Sequence, residues 1–182
     1  MEKPHGTSVL SVRRGDGVAL GADGQVTVGD TILKAGAVKV REMLEGKVLC
    51  GFAGATADAL ALFERLEEKL KAHPRNLPRA AVELAKTWRT DKMLRQLDAL
   101  IAAVDAYHSY VITGTGDVLE PDDGIIALGS GGPYALAAAR VLLKHTELSA
   151  AEICRESLAA SAAIDLYSNG NITVLELKTQ NG

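Results

Sequence analysis

The 182-residue chain has only two cysteines, Cys50 and Cys154, and no Cys-x-x-Cys pair. Neither a disulfide framework nor a thiolate zinc site is indicated. The four histidines, His5, His73, His108 and His145, fall at no metal-ligand spacing. His-Glu-x-x-His and Gly-x-Ser-x-Gly are both missing, which removes the zincin and serine-hydrolase signatures. No apolar run reaches the roughly 18 residues a membrane span needs. The opening Met1-Glu2-Lys3-Pro4-His5-Gly6 is polar and has no apolar core, so it does not read as a secretory signal. Charge of one sign is scarce too. Twenty basic residues face 23 acidic ones, for a net charge of −3. That leaves no basic face for nucleic acid and no membrane-binding helix. Aromatic residues are only 4%. A reducing cytoplasm is the simplest compartment for such a chain.

The composition is that of a soluble globular domain, with 47% apolar and 24% charged residues. The length suits one domain with a sizeable core. No repeat or low-complexity linker divides it. Ser8–Arg14 and Gly17–Ala22 flank an Arg14-Gly15-Asp16-Gly17 turn and read as a hairpin. Further strands are expected over 25–29, 37–41 and 47–53. A helix is expected from Thr56, with that residue as its cap, ending at Pro74. A second has Asn76 as cap and Pro78 in its first turn. Residues 97–104 fit helix or strand equally. A hairpin follows over 107–119, then a short buried strand at 124–128. A helix opens at Pro133, and Ser149-x-x-Glu152 is a capping box for one running to about Leu166. A last strand covers 172–177. Strand-rich ends with paired helices fit an α+β protein whose sheets lie between helix layers.

The sharpest chemical feature is Gly6-Thr7-Ser8, just ahead of the first strand. A threonine hydroxyl is a weak nucleophile and needs a base. Its own α-amino group, with a pKa of about 8, can serve once Thr7 is the N-terminus. Glycine at position 6 lets the chain bend so that the Thr7 hydroxyl reaches the Gly6 carbonyl. Alone, this dipeptide equally fits a threonine that merely starts a strand. In the same way Asp23-Gly24 fits a turn, Lys39 a solvated strand residue, and Gly51 a strand glycine beside a close backbone. Gly129-Ser130-Gly131-Gly132-Pro133 opens a helix but lacks the Lys-Ser/Thr of a phosphate loop. A close backbone approach is the better reading.

Longer blocks add context: Thr7–Arg14, Ala22-Asp23-Gly24-Gln25-Val26-Thr27, Lys39-Val40-Arg41 and Gly51-Phe52-Ala53-Gly54-Ala55-Thr56-Ala57-Asp58. Ala81–Asp91 and Ile126–Ala135 belong with them. Together they resemble the HslV (ClpQ) peptidases, which are N-terminal-nucleophile hydrolases similar to proteasome β subunits. The resemblance runs from Thr7 to about Leu177. It implies a four-layer αββα sandwich, with residues 1–6 a leader and 7–182 a single peptidase domain. It implies a threonine-type endopeptidase: a homo-dodecamer of two hexameric rings that degrades unfolded proteins fed by an HslU-type AAA+ ATPase. ATP is then used by the partner and not by this chain.

By resemblance, Thr7 is the nucleophile and Lys39 the lysine of the catalytic site. Asp23 is the carboxylate pairing with that lysine, Gly51 an oxyanion donor through its N–H, and Ser130 a serine orienting the amine and water. A monovalent cation, usually sodium, is expected on the backbone carbonyls of Ala162, Asp165 and Ser168. The chain departs from the usual pattern at Ser8 (commonly threonine), Ala22 (glycine), Ala163 (aspartate) and Asp165 (cysteine). Its leader is longer than the single methionine common in the family, which points to self-cleavage. Two other readings remain open at this stage: a different N-terminal-nucleophile enzyme that works without an ATPase, and a silent ring subunit serving as scaffold.

Overall fold

The computed structural model describes residues 6–178. Positions 1–5 of the expected leader lie outside the described residues. The chain starts with β1 (Val9–Arg14) and β2 (Gly17–Ala22), joined by the expected turn. A small ribbon of β3 (Val26–Val28) and β4 (Thr31–Lys34) follows, then β5 (Val40–Met43) and β6 (Val48–Gly54). Next come α1 (Thr56–Ala72), α2 (Leu77–Thr90), β7 (Ala99–Val104), β8 (Ser109–Thr113) and β9 (Val118–Leu119). The chain closes with β10 (Ile126–Leu128), α3 (Gly132–His145), α4 (Ala150–Ala162) and β11 (Thr173–Lys178).

Two antiparallel sheets form the middle, in the orders β10-β1-β2-β11 and β5-β6-β7-β8-β9. Alternation along each strand assigns its two faces. Val9 and Leu20 point between the sheets with Leu49, Ala102 and Val104. Leu10, Val12 and Ala19 point outward onto Ala139, Ile153 and Leu158 of α3 and α4. Cys50, Phe52 and Ile101 point the other way, onto Phe63, Leu66, Leu84 and Trp88 of α1 and α2. The three apolar layers make the αββα sandwich that the resemblance implied.

Burial on both faces explains the ambiguity of 97–104. With helices on one side and a sheet on the other, β7 reads Leu100-Ile101-Ala102-Ala103-Val104 without polar alternation. The ribbon strand β4 went unforeseen because all four of its residues are exposed. Two helix ends also differ. Thr56 is the first helical residue and Ala55 holds the N-cap position, without a side-chain cap. Helix α4 stops at Ala162, well short of Leu166. Ile164 and Asp165 turn their N–H groups back onto the Ser161 carbonyl, and an irregular segment follows. Asn76 and the Ser149–Glu152 box cap as expected. Among the described residues no helix is long and apolar enough to cross a membrane.

Candidate active site

The residues leading into β1 run between the β2–β3 turn, where Asp23 N donates to the Ser8 carbonyl, and the segment that precedes β5, where Lys39 reaches the Gly6 carbonyl. Thr7 is almost wholly buried there, and its hydroxyl donates to the Gly6 carbonyl at 2.5 Å. The Lys39 ammonium donates to the same oxygen at 3.4 Å and to Asp23 Oδ1 at 2.9 Å. Lys39 is 3% exposed and Asp23 1%. The Asp23 carboxylate has four donors. Ser8 N and Lys39 Nζ reach one oxygen, while Gln25 N (2.8 Å) and Asn169 N (3.3 Å) reach the other. A buried carboxylate is tolerated when its lone pairs are filled and a cation neutralises it, and both hold here. Burial pushes the Lys39 pKa below its ordinary value, while the charges of Asp23 and, more weakly, Asp165 hold it up.

Ser130 stands beside Thr7 in the same cleft, two residues past the end of β10. Its hydroxyl donates to Asp165 Oδ2 at 2.8 Å. The Ser168 hydroxyl donates to the same carboxylate oxygen at 2.5 Å and lies 2.7 Å from Ser8 Oγ. Ser8 Oγ is in turn 3.1 Å from Ser161 Oγ, which donates to the Gly131 carbonyl. A chain of buried hydroxyls thus runs behind the nucleophile. Gly129 and Gly131 allow it: a Cβ would fall 1.9 Å from the Thr7 carbonyl oxygen at Gly129, and 1.9 Å from Ser8 Oγ at Gly131. This is the close backbone approach read from the Gly129–Pro133 segment.

Four of the five expected catalytic residues, Thr7, Asp23, Lys39 and Ser130, come together. Gly51 does not. It sits in mid-strand, paired with Val40 and Ala102, and its open side meets Val9, Val40 and Leu20 in the core between the sheets. The glycine of β6 that faces the cleft is Gly54, at the strand end, with φ +127° and no room for a Cβ beside the Asp98 carbonyl. A shallow cleft of about 380 Å³ opens over Thr7, lined by Gly6, Ala53, Gly54, Gly129, Ser130 and Tyr167. The Arg13 hollow, about 530 Å³, is larger. Its guanidinium is held by the carbonyls of Asp105, Ala106 and His108 and by the Ser109 hydroxyl.

Ala162 is the last residue of α4, where the helix dipole favours a cation, and Asp165 and Ser168 follow in the irregular segment beyond it. The Asp165 and Ser168 side chains turn into the hydroxyl chain, so only backbone oxygens remain for an ion at this place. Among the described residues no His/Cys/Asp/Glu group could hold a metal. Sequence reasoning missed the parts played by Ser8, Ser161 and Gly54. A polar residue next to the Thr7 candidate and directly ahead of the first strand was the available signal at Ser8, and a glycine at a strand end the one at Gly54.

A family model described as Proteasome subunit matches residues 3–177. A crystal structure of eukaryotic HslV from Trypanosoma brucei superposes with a TM-score of 0.89 at 45% identity, covering 94% of this chain and 99% of that one. The chain belongs to the proteasome subunit family, as an HslV-type, β-like subunit. It is therefore a threonine-type peptidase, the proteolytic subunit of an HslV system. Two structures of Thiobacillus denitrificans BPH, one in complex with epoxomicin, share the fold alone. Both have a TM-score of 0.75, at 18% and 19% identity, and cover 95% and 96% of this chain.

Proposed function

We propose that Thr7 becomes the N-terminal nucleophile of this HslV-type subunit after the chain cuts itself between Gly6 and Thr7. One observation carries the reading: a buried threonine hydroxyl lies on the preceding carbonyl, with a buried ammonium on the same oxygen and a fully bonded carboxylate behind it. In self-cleavage the Thr7 oxygen adds to the Gly6 carbonyl carbon, and its proton passes to a nearby base or water. Lys39 supports the negative oxygen that forms. That proton is returned to the Thr7 nitrogen as the intermediate collapses, the Gly6–Thr7 C–N bond breaks, and an ester on Thr7 Oγ1 and a free amine are left. Water then hydrolyses the ester, releasing the leader as a Gly6 carboxylate.

Turnover of a peptide repeats this addition with the freed amine as base. A neighbouring ammonium lowers the pKa of that amine, which favours its neutral form near neutral pH. The N–H groups around Gly54 and Gly129 are the oxyanion donors that the cleft offers, in place of Gly51. Removing such a donor in a hydrolase costs about 10²–10³ in rate. Ser130, held by Asp165, orients the amine and its water.

The same reading covers the assembly. The subunits form a dodecamer of two hexameric rings in the cytoplasm, and an HslU-type AAA+ ATPase unfolds protein substrates for it. Sodium fits the carbonyls of Ala162, Asp165 and Ser168, because a hard cation prefers oxygen ligands. It would fix the turn after α4 and supply no chemistry to the reaction. The test is hydrolysis of a fluorogenic peptide with and without an HslU-type ATPase and ATP. Turnover that rises with the ATPase and vanishes in Thr7→Ala supports the reading. Turnover indifferent to the ATPase favours a self-contained enzyme, and no turnover by a chain that keeps its leader favours a scaffold.

A further inference from the structure

We infer that Asn169 is a positioning residue for the Asp23–Lys39 pair, clamping together the three chain segments on which that pair depends. The inference rests on the peptidase reading above and adds a residue to it.

Lys39 hangs from a stretch without regular structure. Residues 35–39 lie between the exposed ribbon strand β4 and the start of β5. Nothing in a strand ladder fixes Ala35 to Val38, so their place is set by individual bonds. Ala37 N donates to the Gly24 carbonyl at 2.8 Å. The Asn169 amide donates from Nδ2 to the Ala35 carbonyl at 2.9 Å. Its Oδ1 accepts from Gly24 N at 3.2 Å and from Asn171 N at 3.1 Å. Its own backbone N–H reaches Asp23 Oδ2 at 3.3 Å. One residue thus touches the turn carrying Asp23, the segment leading to Lys39, and its own loop after α4.

The residue type is what this junction requires. Two N–H donors and one carbonyl converge on one side chain, and a carboxamide accepts and donates at once. The reversed amide would set NH2 against two N–H groups, so the network fixes the orientation. Aspartate could accept but would face the Ala35 carbonyl with a negative oxygen. Packing here leaves little slack: a Cβ on Gly24 would fall 2.6 Å from the Ala35 carbonyl oxygen and 3.2 Å from Gly36 Cα. Without the clamp, the 35–38 segment can drift and carry Lys39 away from Thr7. Asn171 Nδ2 also donates to the Ala35 carbonyl, at 2.8 Å, but touches neither Asp23 nor Gly24 through its side chain. It is the natural control.

The experiment compares Asn169→Ala, Asn169→Asp and Asn171→Ala with wild type, each as the full chain with an HslU-type ATPase and ATP. It reads kcat, KM and the pH profile of peptide hydrolysis, with thermal unfolding alongside. Both Asn169 variants are expected to lose about 10- to 100-fold in kcat, since small misplacements of a catalytic group cost that much, with KM within about twofold. The acid limb of the profile should move to higher pH, because an amine farther from the Lys39 ammonium regains its ordinary basicity. Asn171→Ala should stay within about twofold of wild type. Asn169→Asp keeps the size and both acceptor contacts, so it serves if the alanine variant folds poorly. A folded Asn169 variant with wild-type kcat and pH profile overturns the inference alone. A wild type that shows no turnover overturns the peptidase reading, and this inference with it.

Discussion

Replacing Asp23 by asparagine removes one charge and keeps the shape. The structure shows what that change does. The carboxylate now accepts from Lys39 Nζ, Ser8 N, Gln25 N and Asn169 N, two on each oxygen. A carboxamide keeps one oxygen and turns an NH2 toward two of those donors. The larger effect falls on Lys39, which is 3% exposed and would lose its only close counter-ion among the described residues. Breaking a buried pair from one side costs about 3–5 kcal/mol, because a desolvated charge is left alone. For a chain of this size each kcal/mol moves Tm by about 2–4 °C, so Asp23→Asn should lower it by roughly 6–20 °C. Tm must be compared at matched protein concentration, since subunit assembly adds to apparent stability. The same variant should keep its leader, because Lys39, already depressed by burial, loses the charge that holds its pKa up. Differential scanning calorimetry and intact mass read the two effects. An Asp23→Asn protein with unchanged Tm and a normally processed N-terminus would refute the reasoning.

Three further outcomes follow from the same geometry. The folded pKa of Lys39 lies below its unfolded value of 10.5, so the unfolded chain binds more protons between the two values and stability from this group rises with pH across that window. Denaturation of wild type and Lys39→Met across that range should show the upward trend in wild type only. Cys50 and Cys154 are fully buried thiols, with burial raising both pKa values, that of Cys154 to about 12. Neither should react with a thiol reagent at pH 8 until the protein unfolds, and labelling of the native chain counts against the core described here. Leu66→Ala should cost about 2–5 kcal/mol in chemical denaturation, because Leu66 is fully buried between α1 and its sheet; a loss under about 1 kcal/mol contradicts that packing.

Much of the fold was legible because its signals are local. The Arg14–Gly17 turn fixed the first hairpin, and the Ser149–Glu152 box fixed the start of α4. Where burial is two-sided the signal vanished: β7 has no polar face, so period-2 alternation could not separate it from a helix. The end of α4 was misjudged because Ile164 and Leu166 continue an apolar pattern, yet they are 60% and 85% exposed and belong to a loop. At the site, Gly6-Thr7 carried a chemical argument of its own, since only an N-terminal threonine supplies its own base. Lys39 and Asp23 are ordinary residues in sequence and acquire meaning only when 16 positions of separation close to 2.9 Å. The misassigned Gly51 shows the same limit. Gly51 and Gly54 sit on one strand three residues apart, and only the sheet geometry says which of them reaches the cleft. The hydroxyl chain through Ser8, Ser161, Ser168 and Asp165 was invisible for the same reason, as it joins β1 to the end of α4 across some 150 residues.

The most direct test of the central claim is the intact mass of the purified protein beside that of Thr7→Ala. The account predicts a wild-type chain that begins at Thr7 and a variant that retains every residue through Gly6. A wild type that keeps its leader, or a variant that loses it at Gly6, contradicts the assignment of Thr7 as the self-cleaving nucleophile.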